Sequence, residues 1–170
     1  ASEVYMIVSK LKLKNWRNFR NIEVNFQERV YIIGPNAAGK SNLLDVFRFL
    51  RDIAKPGGGL QKAVEDRGGL SKIRCLAARR HPDVEIKVYL SEPSEERQIW
   101  TYAIGIKQEV RGHRQPLLSY EEVCHNDIQI LNRPDENDNQ DIARLTQTHL
   151  EQVNANVKFR DISRFFESIL

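Results

Sequence analysis

The sequence has little of what stabilises secreted or membrane proteins. Its 170 residues contain 2 cysteines, and no apolar run reaches the ~20 residues that a membrane-spanning helix needs. The apolar stretch at residues 4–8 is too short for the core of a secretory signal and is followed by lysines. These absences exclude a disulfide scaffold and a membrane-spanning protein. They predict a cytoplasmic protein in which Cys75 and Cys124 are free thiols in a reducing compartment.

A strong excess of either charge is also missing. Lysine and arginine total 26 against 23 for aspartate and glutamate, which gives a net charge of +3. Such a mild basic excess is compatible with a nucleic-acid partner but does not indicate one. Lys10, Lys12 and Lys14 alternate with apolar residues, a pattern typical of the solvent-facing side of a strand.

What the sequence does have is the composition of an ordinary globular domain. Hydrophobic residues make up 41% and charged residues 29% of the chain, close to the average of folded proteins. This composition excludes a disordered tail and a collagen-like repeat. A chain of 170 residues can bury a sizeable core, so we expect one domain or one lobe of a larger protein.

Apolar periodicity in the first third of the chain predicts strands followed by a helix. Alternation at residues 10–14 and 22–26 predicts two strands joined by a short turn. The continuous apolar run at residues 30–33 predicts a strand buried on both faces, as in a parallel sheet. A helix with a broad apolar surface is predicted at residues 41–53, before a Lys-Pro-Gly-Gly-Gly breaker.

The rest of the chain predicts antiparallel strands and then helices. The predicted elements are a short helix at 60–66, strands at 84–88 and 100–106, a hairpin of 117–124 with 128–132, an exposed loop at 133–140, and helices at 141–153 and 157–169. The expected fold class is therefore α/β, with a mixed sheet, an antiparallel strand subdomain and C-terminal helices.

The most informative segment is GPNAAGKS at residues 34–41, which matches the phosphate-binding pattern G-x-x-x-x-G-K-[ST] at every specified position. Gly34 allows a sharp turn out of the strand, and Gly39 lets the backbone approach a phosphate closely. The loop amides and the positive end of the following helix favour a phosphate. Lys40, the predicted catalytic residue, is expected to reach the β- and γ-phosphates, and the Ser41 hydroxyl to bind Mg²⁺. A glycine-rich turn that merely joins strand to helix would not explain Lys40 and Ser41.

The surroundings of this loop are more specific than the loop itself. A strand, the segment NWRNFR at residues 15–20, a second strand and GPNAAGKSNLLD at residues 34–45 follow one another. This order resembles the N-terminus of the SMC/RecF/OLD-like ATPases, bacterial ABC-type proteins that include the AAA_21 and AAA_15 groups. The resemblance implies a P-loop NTPase lobe of ABC/SMC-head type. Many relatives have glycine in place of Ala37, and alanine is tolerable there if its φ is negative.

The resemblance also implies roles for individual residues. Asn36 occupies the place of a polar residue near the γ-phosphate, and Arg17 and Asn18 lie where relatives contact the adenine or ribose. A surface arginine is the alternative for Arg17, while Trp16 and Phe19 are interpreted as packing residues. The nucleotide-binding set predicted from motif and resemblance is Arg17, Asn18, Gly34, Asn36, Ala37, Ala38, Gly39, Lys40, Ser41 and Asn42.

A glutamine that contacts Mg²⁺ and the attacking water is a further feature of ABC-type ATPases. Gln147 is the candidate by position. The glutamines that compete with it are Gln61, Gln98, Gln108, Gln115 and Gln140.

Hydrolysis needs parts that this sequence does not contain. A strand ending in Asp-Glu and a Ser-Gly-rich signature are absent, and in the resembled family both lie in the C-terminal half. We therefore expect an N-terminal lobe at residues 6–135 and a helical segment at 136–170 that ends early. Such a chain would bind ATP with little hydrolysis.

The family also implies partners for the complete protein. These are a second ATPase head, as a homodimer, and DNA in repair or phage defence, with no membrane. The alternatives are a nucleotide-binding subunit of an ABC transporter, a P-loop phosphotransferase, or a non-catalytic interaction module.

Overall fold

The computed structural model describes residues 5–26, 37–75, 83–93 and 98–170, and of Ala37, Ala38 and Gln98 it describes the backbone. The strand predicted at residues 30–33 and the loop residues Gly34 and Asn36 lie outside the described residues.

A single six-stranded sheet forms the centre of the described structure. Its strands are β1 (Ile7–Trp16), β2 (Phe19–Asn25), β3 (Val84–Ser91), β4 (Gln98–Gln108), β5 (Pro116–His125) and β6 (Ile128–Arg133). They lie in the order β2-β1-β3-β4-β5-β6, and every pairing among these strands is antiparallel. The first hairpin and the later strands therefore share one sheet, and the parallel strand expected for a mixed sheet is the one outside the described residues.

Helices pack against this sheet. They are α1 (Ala37–Ala54), α2 (Leu60–Glu65), α3 (Leu70–Ile73), α4 (Glu136–Gln140) and α5 (Arg160–Glu167), with 3-10 turns at Ile142–Thr146 and Val157–Phe159. Residues of α1, α2, α3 and α5 share the buried apolar core of the sheet. None of the helices in the described ranges is long and apolar enough to cross a membrane.

Alternating apolar residues of the strands form one side of the hydrophobic core. Leu11 and Leu13 of β1 and Ile86 and Val88 of β3 are at most 2% exposed and face the helices. Apolar residues of α1, α2 and α5 belong to the same buried cluster. The opposite face of β1 carries the alternating lysines, as the sequence predicts.

The C-terminal third departs from the predictions at two places. The segment predicted as an exposed loop at residues 133–140 is exposed except at Arg133 and Asp138, which are buried, and part of it is helix α4, which begins on a capping box at Asp135. The helix predicted at residues 141–153 is wrong. A 3-10 turn at Ile142–Thr146 and irregular backbone replace it.

The remaining predicted elements are confirmed where the structure describes them. The strands, α1, α2 and the helix that ends the chain lie at the expected places, and α1 begins earlier than residue 41. The short helix α3, after Gly68 and Gly69, was not predicted.

Candidate nucleotide-binding site

The candidate site is the N-terminal end of helix α1. The helix begins at Ala37, so Gly39 and Lys40 lie in its first turn, and that turn contains no acidic residue. The amides of that turn, which have no partner within the helix, and the positive end of an 18-residue helix are therefore not neutralised by a carboxylate of the same turn. Ala37 has helical backbone, and so the negative φ at which alanine is acceptable.

Lys40 and Ser41 present their side chains to solvent at this helix end. Both are exposed, and Asn42, the next residue, is partly buried. An ammonium and a hydroxyl lie side by side in sequence, next to backbone amides. These groups suit a phosphate and the Mg²⁺ that accompanies it.

The turn between β1 and β2 lies against the same helix end. Asn42 Nδ2 donates a hydrogen bond to Asn18 Oδ1 at 2.9 Å, and Trp16 Nε1 donates to the Asn42 carbonyl at 2.8 Å. A β-carbon placed on Gly39 would lie 3.7 Å from Asn18 Nδ2, so the amide group of Asn18 borders the loop glycine. The structure thus brings Asn18, Gly39 and Asn42 together, three residues of the predicted set.

Local sequence explains the shape of this turn. Trp16 pairs with Phe19, which leaves Arg17 and Asn18 as a two-residue hairpin turn. Arg17 has a φ of 53°, the positive value that primed turns require at their first position. A non-glycine residue adopts it at a cost, and two contacts offset that cost. The Arg17 amide donates to the Ile73 carbonyl at 2.6 Å and its guanidinium to the Lys72 carbonyl at 3.3 Å.

The guanidinium of Arg17 binds a carboxylate of the protein itself. Its Nη2 lies 3.0 Å from Asp45 Oδ2, and the same carboxylate accepts two hydrogen bonds from Arg67, at 3.1 and 3.0 Å. Burial raises the pKa of Asp45, but the bonds from Arg67 and Arg17 outweigh it, so that the pKa lies below its ordinary value. The adenine or ribose contact implied for Arg17 stays a prediction.

Trp16 is a packing residue, as interpreted from the sequence. It is fully buried, and its ring centroid lies 5.2 Å from that of Phe49 on α1. Together with its bond to Asn42, this contact fixes the end of β1 against the helix.

Comparison with known proteins agrees with this geometry. The model of the AAA_21 family, described as "AAA domain, putative AbiEii toxin, Type IV TA system", matches residues 30–166. The chain belongs to the AAA_21 family. The match includes the helix end with Lys40 and Ser41 and nearly all of the later strands and helices.

Relatives of this AAA_21 chain include proteins named DNA replication and repair protein RecF. The one from Roseiflexus castenholzii is 29% identical over 118 residues, which cover 64% of this chain and 29% of that protein. Those from Lactobacillus johnsonii and Bacillus thuringiensis are 48% and 44% identical over 46 residues, covering 12% of each relative. The chain thus spans less than a third of the length of these relatives, and it is similar to an ATP-binding AAA/RecF-like domain.

Gln147 of this AAA_21 domain lies by a different part of the sheet. It follows the 3-10 turn Ile142–Thr146, its side chain is exposed, and its carbonyl accepts a hydrogen bond from Arg133 Nη1 at 2.9 Å. Arg133 ends β6, and β3, β4 and β5 separate β6 from β1. A role for Gln147 at Mg²⁺ stays a prediction.

A buried ionic cluster holds the loop of Gln147. Arg133, 1% exposed, binds Glu121 Oε1 at 2.9 Å and both oxygens of Asp138 at 3.0 Å. Its remaining donors go to the carbonyls of Arg144 and Gln147. Burial raises the pKa of Asp138, but the bonds from Arg133 and the Asp135 backbone outweigh it and hold the pKa well below its usual range.

Sequence reasoning missed two residues that support the site. Asp45 was visible within the N-L-L-D segment, but nothing in the sequence links it to Arg67, 22 residues later. Arg67 bridges Asp45 and Asp52, the latter at 3.0 Å, and so attaches the chain after α2 to two turns of α1.

Proposed function

We propose that the chain is the ATP-binding, N-terminal portion of an SMC/RecF/OLD-like ATPase. The observation that carries this proposal is the helix end itself. Lys40 and Ser41 are exposed near the start of α1, whose first turn contains no acidic residue, and Asn18 borders them through Asn42 and Gly39.

The residues present fit ATP with Mg²⁺. Lys40 would hold the β- and γ-phosphates, Ser41 would bind Mg²⁺, and the amides from Ala37 onward would hold the phosphate chain. Asn18 Nδ2 is a hydrogen-bond donor beside Gly39 and suits a polar group of the nucleotide. Gly34 and Asn36 complete the proposed set from outside the described residues. Mg²⁺ would neutralise the charge of the phosphates.

Hydrolysis belongs to the complete protein in this proposal. Two heads would close on ATP, as the resemblance implies, and the chain alone would bind ATP with little turnover. The relatives named as DNA replication and repair proteins support a role in DNA handling, and the family description names a toxin of a Type IV TA system, which supports defence. We therefore propose that ATP-driven head dimerisation is coupled to DNA repair or to phage defence in the cytoplasm.

Mutation of Lys40 tests the nucleotide site directly. The K40A variant should lose Mg-ATP affinity about 10- to 100-fold, because a charge-assisted bond to phosphate is removed. Isothermal titration calorimetry with and without Mg²⁺ measures this, and S41A should lose mainly the Mg²⁺ dependence. K62A is the matched control, since Lys62 is an exposed lysine of α2 paired with Asp66 at 3.5 Å.

Each result separates the proposal from its alternatives. Equal ATP affinity of K40A and K62A would contradict the phosphate-binding role of this helix end. Transfer of phosphate to an added acceptor would favour a phosphotransferase. Light scattering with ATP tests head dimerisation, which we expect in the complete protein and not in its K40A variant.

A further inference from the structure

The solvent-facing side of β1 and β3 carries a group of lysines around one aromatic ring. Lys10, Lys12 and Lys14 alternate along β1, and the register of β1 with β3 places Lys12 opposite Lys87 and Lys10 opposite Tyr89. We call Lys10, Lys12, Lys87 and Tyr89 the lysine cluster.

The ammonium groups of the cluster share the ring of Tyr89. The Nζ atoms of Lys10, Lys12 and Lys87 lie 5.0, 5.7 and 5.1 Å from the ring centroid, within the range of cation–π attraction. Tyr89 is 9% exposed, so the ring is covered and fixes the lysines above it. Less side-chain freedom then remains to be lost when an anion binds.

Two carboxylates pair with lysines on this face, and one of them, Glu23, also lies opposite Lys12 in the register of β1 with β2. Lys10 pairs with Glu23 at 2.8 Å, and Lys14 pairs with Glu85 at 3.3 Å. Among the described residues, neither Lys12 nor Lys87 forms a salt bridge with a carboxylate. Two like charges directly opposite each other on neighbouring strands destabilise a sheet. An anion bound between them would remove that cost.

The dimensions and polarity of this face indicate which anion fits. The segment from Lys10 to Lys14 extends over about 13 Å of strand. A single phosphate group is too small to contact all of that length. Membrane binding is stronger when apolar side chains insert into lipid in addition to charge attraction, whereas here Tyr89 and its β4 neighbours Thr101 and Ala103 are at most 9% exposed. The face thus offers charge without an apolar side chain to insert, which suits a phosphodiester chain.

We propose that the lysine cluster binds the phosphate backbone of a nucleic acid, with Lys12 and Lys87 as the principal contacts. This inference names the surface for the DNA partner and rests on that part of the proposed function. A protein that contacts only phosphates does not read the bases, so we expect this binding to have no sequence preference. We also expect its affinity to fall strongly as the salt concentration rises.

Neutralisation of the two central lysines tests the inference. Fluorescence anisotropy measures binding of a labelled 30-nucleotide single-stranded DNA, and of its duplex, to the 170-residue chain at low salt without ATP. The K12Q/K87Q variant should bind about tenfold more weakly. The negative slope of log affinity against log salt concentration should become shallower by about 1.4 for the single strand, because two phosphate contacts are lost. The control K62Q/K158Q removes the same charge from exposed lysines of α2 and the 3-10 turn Val157–Phe159, and should change affinity less than about twofold.

The other outcomes overturn the inference in distinguishable ways. Equal weakening in both double variants means that net charge, and not the cluster, binds DNA. Absence of DNA binding by the wild-type chain overturns both the cluster and the DNA part of the proposed function. Binding to phosphatidylserine vesicles, with no binding to either DNA, assigns the cluster to membranes instead.

Two further measurements separate this surface from the nucleotide site. K12Q/K87Q should keep the Mg-ATP affinity of the wild type, and K40A should keep its DNA affinity.

Discussion

Asp45 connects helix α1 to the turn beside the candidate site and to the chain after α2. Its carboxylate accepts hydrogen bonds from Arg17, in the turn beside the site, and from Arg67, after α2. Lys40 and Ser41 could be predicted from sequence because a local motif defines them. Asp45 and Arg67 could not be paired, because only folding brings these distant residues together.

Replacing Asp45 by asparagine should destabilise the protein by about 2 kcal/mol, because two partly buried guanidinium groups lose their charged acceptor. Urea denaturation at pH 7 measures the change. D66N is the control, since Asp66 is 48% exposed and pairs with Lys62 in solvent, and it should cost less than about 0.5 kcal/mol.

The effect of D45N should depend on pH in a definite direction. The folded-state pKa of Asp45 lies below the ordinary value of 3.8, so its stabilisation is present above pH 3.8 and is lost as pH falls through the folded-state pKa. The difference between wild type and D45N should therefore shrink below pH 3.8. A difference that stays constant down to pH 2 would contradict an electrostatic origin.

At the scale of elements, periodicity predicts structure well where local pattern and tertiary packing agree. Strands β1, β3 and β4 follow clear alternation of apolar and polar residues, and α1 follows the loop motif. Residues 133–140 have the polar composition of a solvated loop, and that composition misleads at two positions. Arg133 and Asp138 neutralise each other and are buried together.

The segment at residues 141–153 shows how a tertiary contact overrides a local pattern. An α-helix would use the Arg144 carbonyl to accept the amide of Thr148. Here that carbonyl accepts from Arg133, and the Thr148 amide donates to Glu151 Oε1 at 2.6 Å. The periodicity of residues 141–153 does not reveal that Arg133 binds the Arg144 carbonyl, so it predicts a helix that the structure does not have.

Glu151 joins this irregular segment to helix α2. Its Oε2 accepts the amide of Leu60, the first residue of α2, at 3.0 Å, while Oε1 accepts the amide of Thr148. Burial raises the pKa of Glu151 to about 7, despite these backbone hydrogen bonds, which lower it.

The junction at Glu151 should therefore weaken as pH rises. Because its folded-state pKa exceeds the ordinary 4.5, the folded protein binds more protons near neutrality, and stability is lost as pH rises through 7. Between pH 5 and 8 the wild type should lose about 2 kcal/mol relative to E151Q, which does not titrate.

Comparison with E151Q at each pH isolates this carboxylate. The pKa of His149 is lowered by burial and by Arg133, and that imidazole contributes the opposite slope to both proteins. E136Q, a change at an exposed residue of α4, should keep the pH profile of the wild type. Parallel profiles of wild type and E151Q would mean that Glu151 ionises normally in the folded protein.

At the scale of the whole molecule, the C-terminal segment packs into the core that supports the candidate site. Phe166 of α5 is fully buried, and its ring lies edge-on to Tyr102 of β4 with centroids 5.7 Å apart. Residues of α5 and α1 belong to one buried cluster. The division at residue 135, predicted from composition, thus separates two segments that share apolar packing, and cooperative unfolding is the expected consequence.

Truncating Phe166 should therefore destabilise the sheet and α1 as well as α5. F166A removes a fully buried ring, which costs about 3–5 kcal/mol. Far-UV circular dichroism reports the secondary structure, and the fluorescence of Trp16 and Trp100, both at most 5% exposed, reports the sheet. The midpoints of urea unfolding from both probes should fall together in F166A, while V157A, at a residue 64% exposed, should leave them unchanged. If tryptophan fluorescence kept its wild-type midpoint in F166A while the helical signal was lost earlier, residues 136–170 would form a separate unit, and α1 would not depend on α5 for its place against the sheet.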